Sequence, residues 1–171
     1  MLINNKPTNI SLDHCKLFAD GINYINTSQW ILAYTAFAHL YQNTKNKPVA
    51  LIYNMALCHY YAKEYSKAIA VLSEASTQMA VPSITLYTEN QLPSELLIYE
   101  YENNHYKRAI SETAITLNTN IIKLRIRRLL VDVHLELKNW QEVLRLSTLP
   151  EMNKCKNIQE ALEIVKSKTT I

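Results

Sequence analysis

The chain has 171 residues, 48% of them hydrophobic, with one glycine and five prolines. That is enough length for one compact domain with a continuous core, and poor material for the tight turns of a β-sandwich or for a phosphate-cradling loop, so an all-α fold follows. Eighteen basic residues against fifteen acidic ones leave a net charge of +3, too small to aim a strong field at nucleic acid or anionic lipid.

Residues 1–10 read as an N-terminal tail, and residues 11–171 as a single helical domain. The opening stretch MLINNKPTNISLDHCKLF has one early lysine and no apolar run of signal-peptide length, so the expected setting is cytoplasmic. Ser11, with Asp13 and His14, marks the start of a helix over 11–26, and Ser28 before Trp30 starts a second over 28–42. Helices over 47–62 and 64–79 follow, carried by VALIYNMALCHYYAKEYSKAIAVLSEA, Val49 to Ala75. AVPSITLYTENQLP, after Met79, breaks the helical period with two prolines and a polar cluster, and residues 80–92 read as a loop. Beyond it, Ser94 with Glu95 starts a helix over 94–103, followed by helices over 105–117, 119–137 and 139–147. A polar link from Pro150 leads to a last helix over 156–168, with Ile158, Ala161, Leu162 and Val165 on one face and charge on the other.

Within Val49 to Ala75, Ile52, Met55, Ala56, Tyr60, Tyr65, Ala68, Leu72 and Ala75 alternate large and small residues. Two antiparallel helices approach closely where Ala56 faces Ala68 and Tyr65 covers the end of the pair. This pattern resembles a tetratricopeptide repeat, whose period is about 34 residues. Leu17, Gly21, Tyr24, Trp30, Ala33 and Phe37 fall on the same template upstream. Leu96, Leu97, Tyr106 and Ala109 fit more loosely, and Leu130, Val131, His134, Trp140 and Val143 fit again. Ala33, Ala68, Ala109 and Val143 are 35, 41 and 34 positions apart, so the middle interval holds an insertion of about seven residues.

The resemblance implies a right-handed α-solenoid of three to four helix pairs, closed by a C-terminal capping helix that keeps the open end of the stack from aggregating. It also implies a concave groove lined by the first helix of each pair. In the first repeat that groove holds Phe18, Ile22 and Ile25; in the second, Tyr53, Leu57, Tyr60 and Tyr61; in the third, Ile98 and Tyr101; and in the fourth, Arg125 and Arg128. Tyrosine presents an apolar body and a polar tip, which suits gripping a peptide by side chain and backbone together. The alternative is that these tyrosines fill space between helices. The carboxylate clamp of some relatives is not expected, because Phe18 and Ile22 stand where it needs a cation and an amide, and only Asn54 remains.

The implied function is non-enzymatic binding of a protein or peptide, as an adaptor or chaperone. A structural subunit using its convex face or ends, in assemblies with itself or another chain, is the alternative. Length and architecture are also similar to bacterial class II chaperones of type III secretion, which hold an extended segment of a translocator.

Nothing in the chain points to catalysis, a cofactor or a metal. The histidines at 14, 39, 59, 105 and 134 form no HExxH and no ligand spacing with cysteine. His59 and His134 share one repeat position and read as partly buried structural residues. Cys15, Cys58 and Cys155 are odd in number and far apart, which favours reduced thiols over a disulfide framework, with Cys58 in the core. Glu95, Glu100 and Glu102 read as a solvated helix face. In IIKLRIRRLL, residues 121–130, Leu124 and Leu130 claim the core, and Lys123, Arg125, Arg127 and Arg128 read first as the wet face. Contact of Arg125 and Arg128 with acidic residues flanking a bound peptide is the second reading, and nucleic acid the last. No stretch reaches the roughly 20 apolar residues of a membrane span.

Overall fold

A computed structural model of the protein describes residues 13–80 and 92–169. The expected tail over 1–10 and nearly all of the expected loop over 80–92 lie outside the described residues. Among those described there are helices and no strands: α1 (His14–Asn26), α2 (Trp30–Asn43), α3 (Val49–Tyr61), α4 (Tyr65–Ala80), α5 (Ser94–Glu102), α6 (Glu112–Leu117), α7 (Thr119–Glu136), α8 (Trp140–Ser147) and α9 (Lys156–Thr169). The all-helical expectation holds. Among the described residues no helix is long and apolar enough to cross a membrane.

Three helix pairs, α1/α2, α3/α4 and α7/α8, share one turn. α1 starts at Asp13, whose carboxylate accepts from the Cys15 and Lys16 amides at 2.9 and 3.3 Å, supplying an acceptor to orphan donors of the first turn. It ends with Ser28 in the left-handed region (φ 60°), while the Gln29 amide donates back to the Tyr24 carbonyl at 2.8 Å. Lys63 (φ 59°) and Lys138 (φ 57°) do the same for α3 and α7, where Glu64 donates to His59 and Asn139 to His134, both at 2.9 Å. This arrangement satisfies the last helical carbonyls and reverses the chain in three residues each time. Five positions beyond each left-handed residue stand Ala33, Ala68 and Val143, none with any exposed surface. Ala33, Ala68 and Val143, three of the four positions that set the repeat spacing, thus form a ruler that recurs at the same buried place after the same turn.

Pairs stack through α2 on α3 and α4 on α7, and α9 lies against α7 and α8. α1 and α2 approach closely at Gly21, where a Cβ would stand 2.8 Å from the Phe37 ring. Phe37 is wholly buried and meets Phe18 edge to face at 5.6 Å.

The third unit departs from the expectation. No helix runs over 105–117. A 3-10 turn at His105–Lys107 is followed by extended Arg108 and then by α6, which Ser111 caps by accepting from the Ala114 amide at 3.2 Å. Asn103 also turns the chain, accepting from the His105 amide at 2.7 Å. Such short polar side chains compete with helical hydrogen bonding. In consequence α4 packs directly on α7, and α5 lies against α9 and meets α7 at its end, through Glu100.

Candidate functional site

α3 is buried at every position from Ala50 to His59, and a helix that is apolar nearly all round needs cover on every side. α1, α2 and α4 supply part of it. The rest comes from the chain's own residues 100–112, which lie across the face built by the first helices α1, α3 and α7.

That segment is held mainly by its backbone. The buried Asn54 side chain donates to the Ile110 carbonyl and accepts from the Ile110 amide, each at 2.9 Å. Tyr53 donates its hydroxyl to the Tyr106 carbonyl. Arg128 donates to the Glu100 carbonyl at 2.7 Å and the Asn103 carbonyl at 2.9 Å, and Asn26 accepts from the Ala109 amide at 3.3 Å. Glu112 completes the contact by accepting from the Ala50 amide in the first turn of α3, at 2.9 Å, where an anion also meets the positive end of the helix dipole.

Between residues 103 and 111 two side chains are buried against this face, Tyr106 and Ile110. Burial of Ile110 contributes about 1.5–3 kcal/mol. The Tyr106 ring packs under the Arg128 guanidinium, 4.2 Å from its centre, and its hydroxyl donates to Asp132 at 2.7 Å. Lys107 pairs with the same carboxylate at 2.8 Å and donates to the Tyr60 hydroxyl at 3.3 Å. From α9, Asn157 donates to Asp132 at 2.8 Å and accepts from Arg128 at 2.7 Å. Arg125 grips Glu100 with two bonds of 2.7 Å. Buried charges are tolerated only when paired and hydrogen-bonded, and among the described residues no buried side-chain polar atom lacks a partner.

The electrostatics follow the packing. Burial pushes the Tyr53 and Tyr106 hydroxyls well above their ordinary value, Tyr106 further because Asp132 is negative. Burial alone would lower Lys107, but the Asp132 charge and hydrogen bond outweigh it and hold the ammonium above its ordinary value. Burial lifts the Cys58 thiol to about 12 and Cys155 to about 11, so neither is a thiolate at neutral pH. Among the described residues no three His, Cys, Asp or Glu side chains converge as a metal site.

The expected groove residues are distributed unevenly. Tyr53, Leu57 and Arg128 sit on the first-helix face but have no exposed surface, and residues 100–106 bond Tyr53 and Arg128 directly. Ile25 is also buried, and Phe18 and Ile22 are half-buried against the core. Tyr60 borders Lys107, while Tyr61 is 39% exposed and stacks on Trp30 at 3.6 Å. Ile98 is 52% exposed on α5, and Tyr101 turns to α9's approach, donating to Glu151 at 2.6 Å. Glu100 and Arg128 correct the solvated-face reading: both are buried, because the displaced third unit brings the end of α5 onto α7.

Asn54, Tyr106, Ile110 and Asn157 were not among the expected site residues. Asn54 carried a signal, an amide in an otherwise apolar helix; the others depend on the course of the third unit. Beside this network lies an open cleft of about 220 Å³ bordered by Tyr60, Lys107, Leu135, Glu136, Glu160 and Ile164.

Fold and site together define an all-helical protein in which α1, α3 and α7 hold the backbone of the chain's own residues 103–111. Comparison of the chain with protein-family models, with curated proteins and with solved structures finds no match.

Proposed function

We propose that the chain is a non-enzymatic protein-binding scaffold, an adaptor or chaperone, built as a tetratricopeptide-like right-handed α-solenoid with α9 as its cap. Its working surface is the first-helix face, and its partner is an extended protein segment. The observation that carries this reading is the set of backbone contacts from Asn54, Tyr53 and Arg128. Side chains that bind N–H and C=O groups hold a peptide whatever its sequence, which is the requirement for capturing an unfolded segment. The repeated turns at Ser28, Lys63 and Lys138 support the repeat assignment. Free thiols at Cys15, Cys58 and Cys155 support a reducing, cytoplasmic setting. A secretion chaperone for a translocator or effector is a narrower form of the same proposal.

One feature favours a second reading, a subunit of a larger assembly. The short α5 exposes Leu96, Ile98 and Tyr99, and Ile98 borders, with Leu97, Tyr101 and Lys154, an open pocket of about 440 Å³; exposed apolar surface beside a cleft marks contact sites.

Photo-crosslinking in the native host separates the two. A crosslinking residue at Tyr61, on the rim of the first-helix face, is expected to give discrete adducts with a partner protein, and one at Leu144 on α8 none. Adducts from Ile98 alone would replace the first reading with the second.

A further inference from the structure

The first-helix face is already occupied, and its occupant specifies what else it takes. Residues 103–111 run across α3 and α7, where bonds from Asn26, Tyr53, Asn54 and Arg128 to their backbone ignore their side chains, so sequence preference rests on the few side chains that enter the face. Tyr106 packs its ring under Arg128 and gives its hydroxyl to Asp132. Lys107, the next residue, pairs with the same carboxylate at 2.8 Å. Ile110, four positions after Tyr106, is buried between the bonds its own backbone makes to Asn54.

We infer that this face binds, in trans, a peptide that turns at a tyrosine followed directly by a cation, runs extended beyond it and carries, four positions after the tyrosine, a branched aliphatic residue, and that residues 103–111 are the internal competitor such a peptide displaces. The inference rests on the proposed peptide-binding function and names the peptide. Discrimination comes from the charged groups underneath: a peptide without the hydroxyl and the cation leaves Asp132 short of partners in a buried setting, which opposes binding more than lost contact alone.

The internal segment competes at an effective concentration on the order of millimolar. Only the fraction of molecules with the face vacated is competent, so the apparent affinity of the wild-type chain for a free peptide is reduced by that fraction. Weakening the internal copy should therefore strengthen binding of the external one.

The probe is a fluorescent peptide of residues 103–111, NNHYKRAIS, titrated by anisotropy against the full chain. A Tyr106→Ala, Ile110→Ala double variant, verified as folded by circular dichroism, is expected to bind it at least tenfold more tightly than wild type. Adding Asp132→Asn to that variant should cost tenfold or more, as should replacing the peptide's tyrosine with alanine. A folded double variant that binds no peptide up to millimolar concentration overturns the inference. Should the double variant not fold, hydrogen exchange on the wild-type chain decides. Millimolar peptide must then speed exchange of the Ala109 and Ile110 amides, and unchanged rates overturn the inference equally. Its failure while crosslinks still form at Tyr61 would leave the proposed function standing, whereas absence of those crosslinks would remove that function itself.

Discussion

Asn54 on α3 pairs with both backbone groups of Ile110, 56 positions later in the chain, accepting from its N–H and donating to its C=O at 2.9 Å each. The side-chain amide thereby copies what a neighbouring β-strand would offer, inside a protein whose described residues contain no strand. All the groups involved are buried, so water cannot substitute for either bond.

Replacing Asn54 with alanine leaves the Ile110 N–H and C=O unpaired in the interior, each at a cost of about 1–3 kcal/mol. Asn54→Ala is expected to lower the unfolding free energy in urea by about 3 kcal/mol. A loss below about 0.5 kcal/mol, the level of a neutral surface change, would mean that residues 103–111 rest on the face without being clamped by it.

Gly21 allows α1 to approach Phe37, since an added Cβ would stand 2.8 Å from two atoms of that buried ring. Alanine favours the helix by about 1 kcal/mol over glycine, but overpacking a filled site costs about 1–3 kcal/mol. Gly21→Ala should therefore destabilise or at best break even. Combined with Phe37→Leu, the alanine should regain its helical advantage, and a double-mutant cycle reads the coupling directly.

How far the sequence carries the fold is clearest at the ruler positions. Ala33, Ala68 and Val143 locate the helix pairs because close packing admits only small or compact side chains there, and the pattern is local. The turns themselves were illegible in type: Ser28, Lys63 and Lys138 take left-handed backbone with neither glycine nor asparagine to announce it. Ala109 fits the ruler but lies in extended chain, because Asn103 and Ser111 form local bonds and Asn54 and Arg128, remote in sequence, take up the backbone. The groove residues expected by position lie on α1, α3, α5 and α7, and which of them face solvent depends on that displaced third unit.

Glu64 gathers three donors at the α3/α4 turn: Lys67 at 2.6 Å, the His59 ring at 2.7 Å and the Tyr34 hydroxyl at 2.9 Å. These bonds, Lys67 first, pull its carboxyl from 4.5 down to about 2. Because the folded value is the lower one, the stabilisation is fully present above the unfolded pKa and fades as pH falls from about 4.5 to about 2. Glu64→Gln should thus lower the Tm at pH 6, and the gap from wild type should shrink as pH falls through that window. A Tm difference independent of pH from 6 to 2 would show that the carboxylate's charge contributes nothing there.

Arg128 tests whether geometry or charge holds the segment in place. Its guanidinium reaches the Glu100 carbonyl, the Asn103 carbonyl and Asn157 at once, tying the end of α5, the segment beyond it and α9 to α7. Lysine keeps the charge, but its compact ammonium cannot reproduce the planar fork. Arg128→Lys is expected to cost on the order of 3 kcal/mol, the worth of one or two charge-assisted bonds. Hydrogen exchange should localise the loss to residues 100–107 and the start of α9, sparing α1 to α4, which share none of these bonds. Uniform loss of protection across all helices would instead make Arg128 part of a single cooperative core, and the segment could not then leave the face without unfolding the scaffold beneath it.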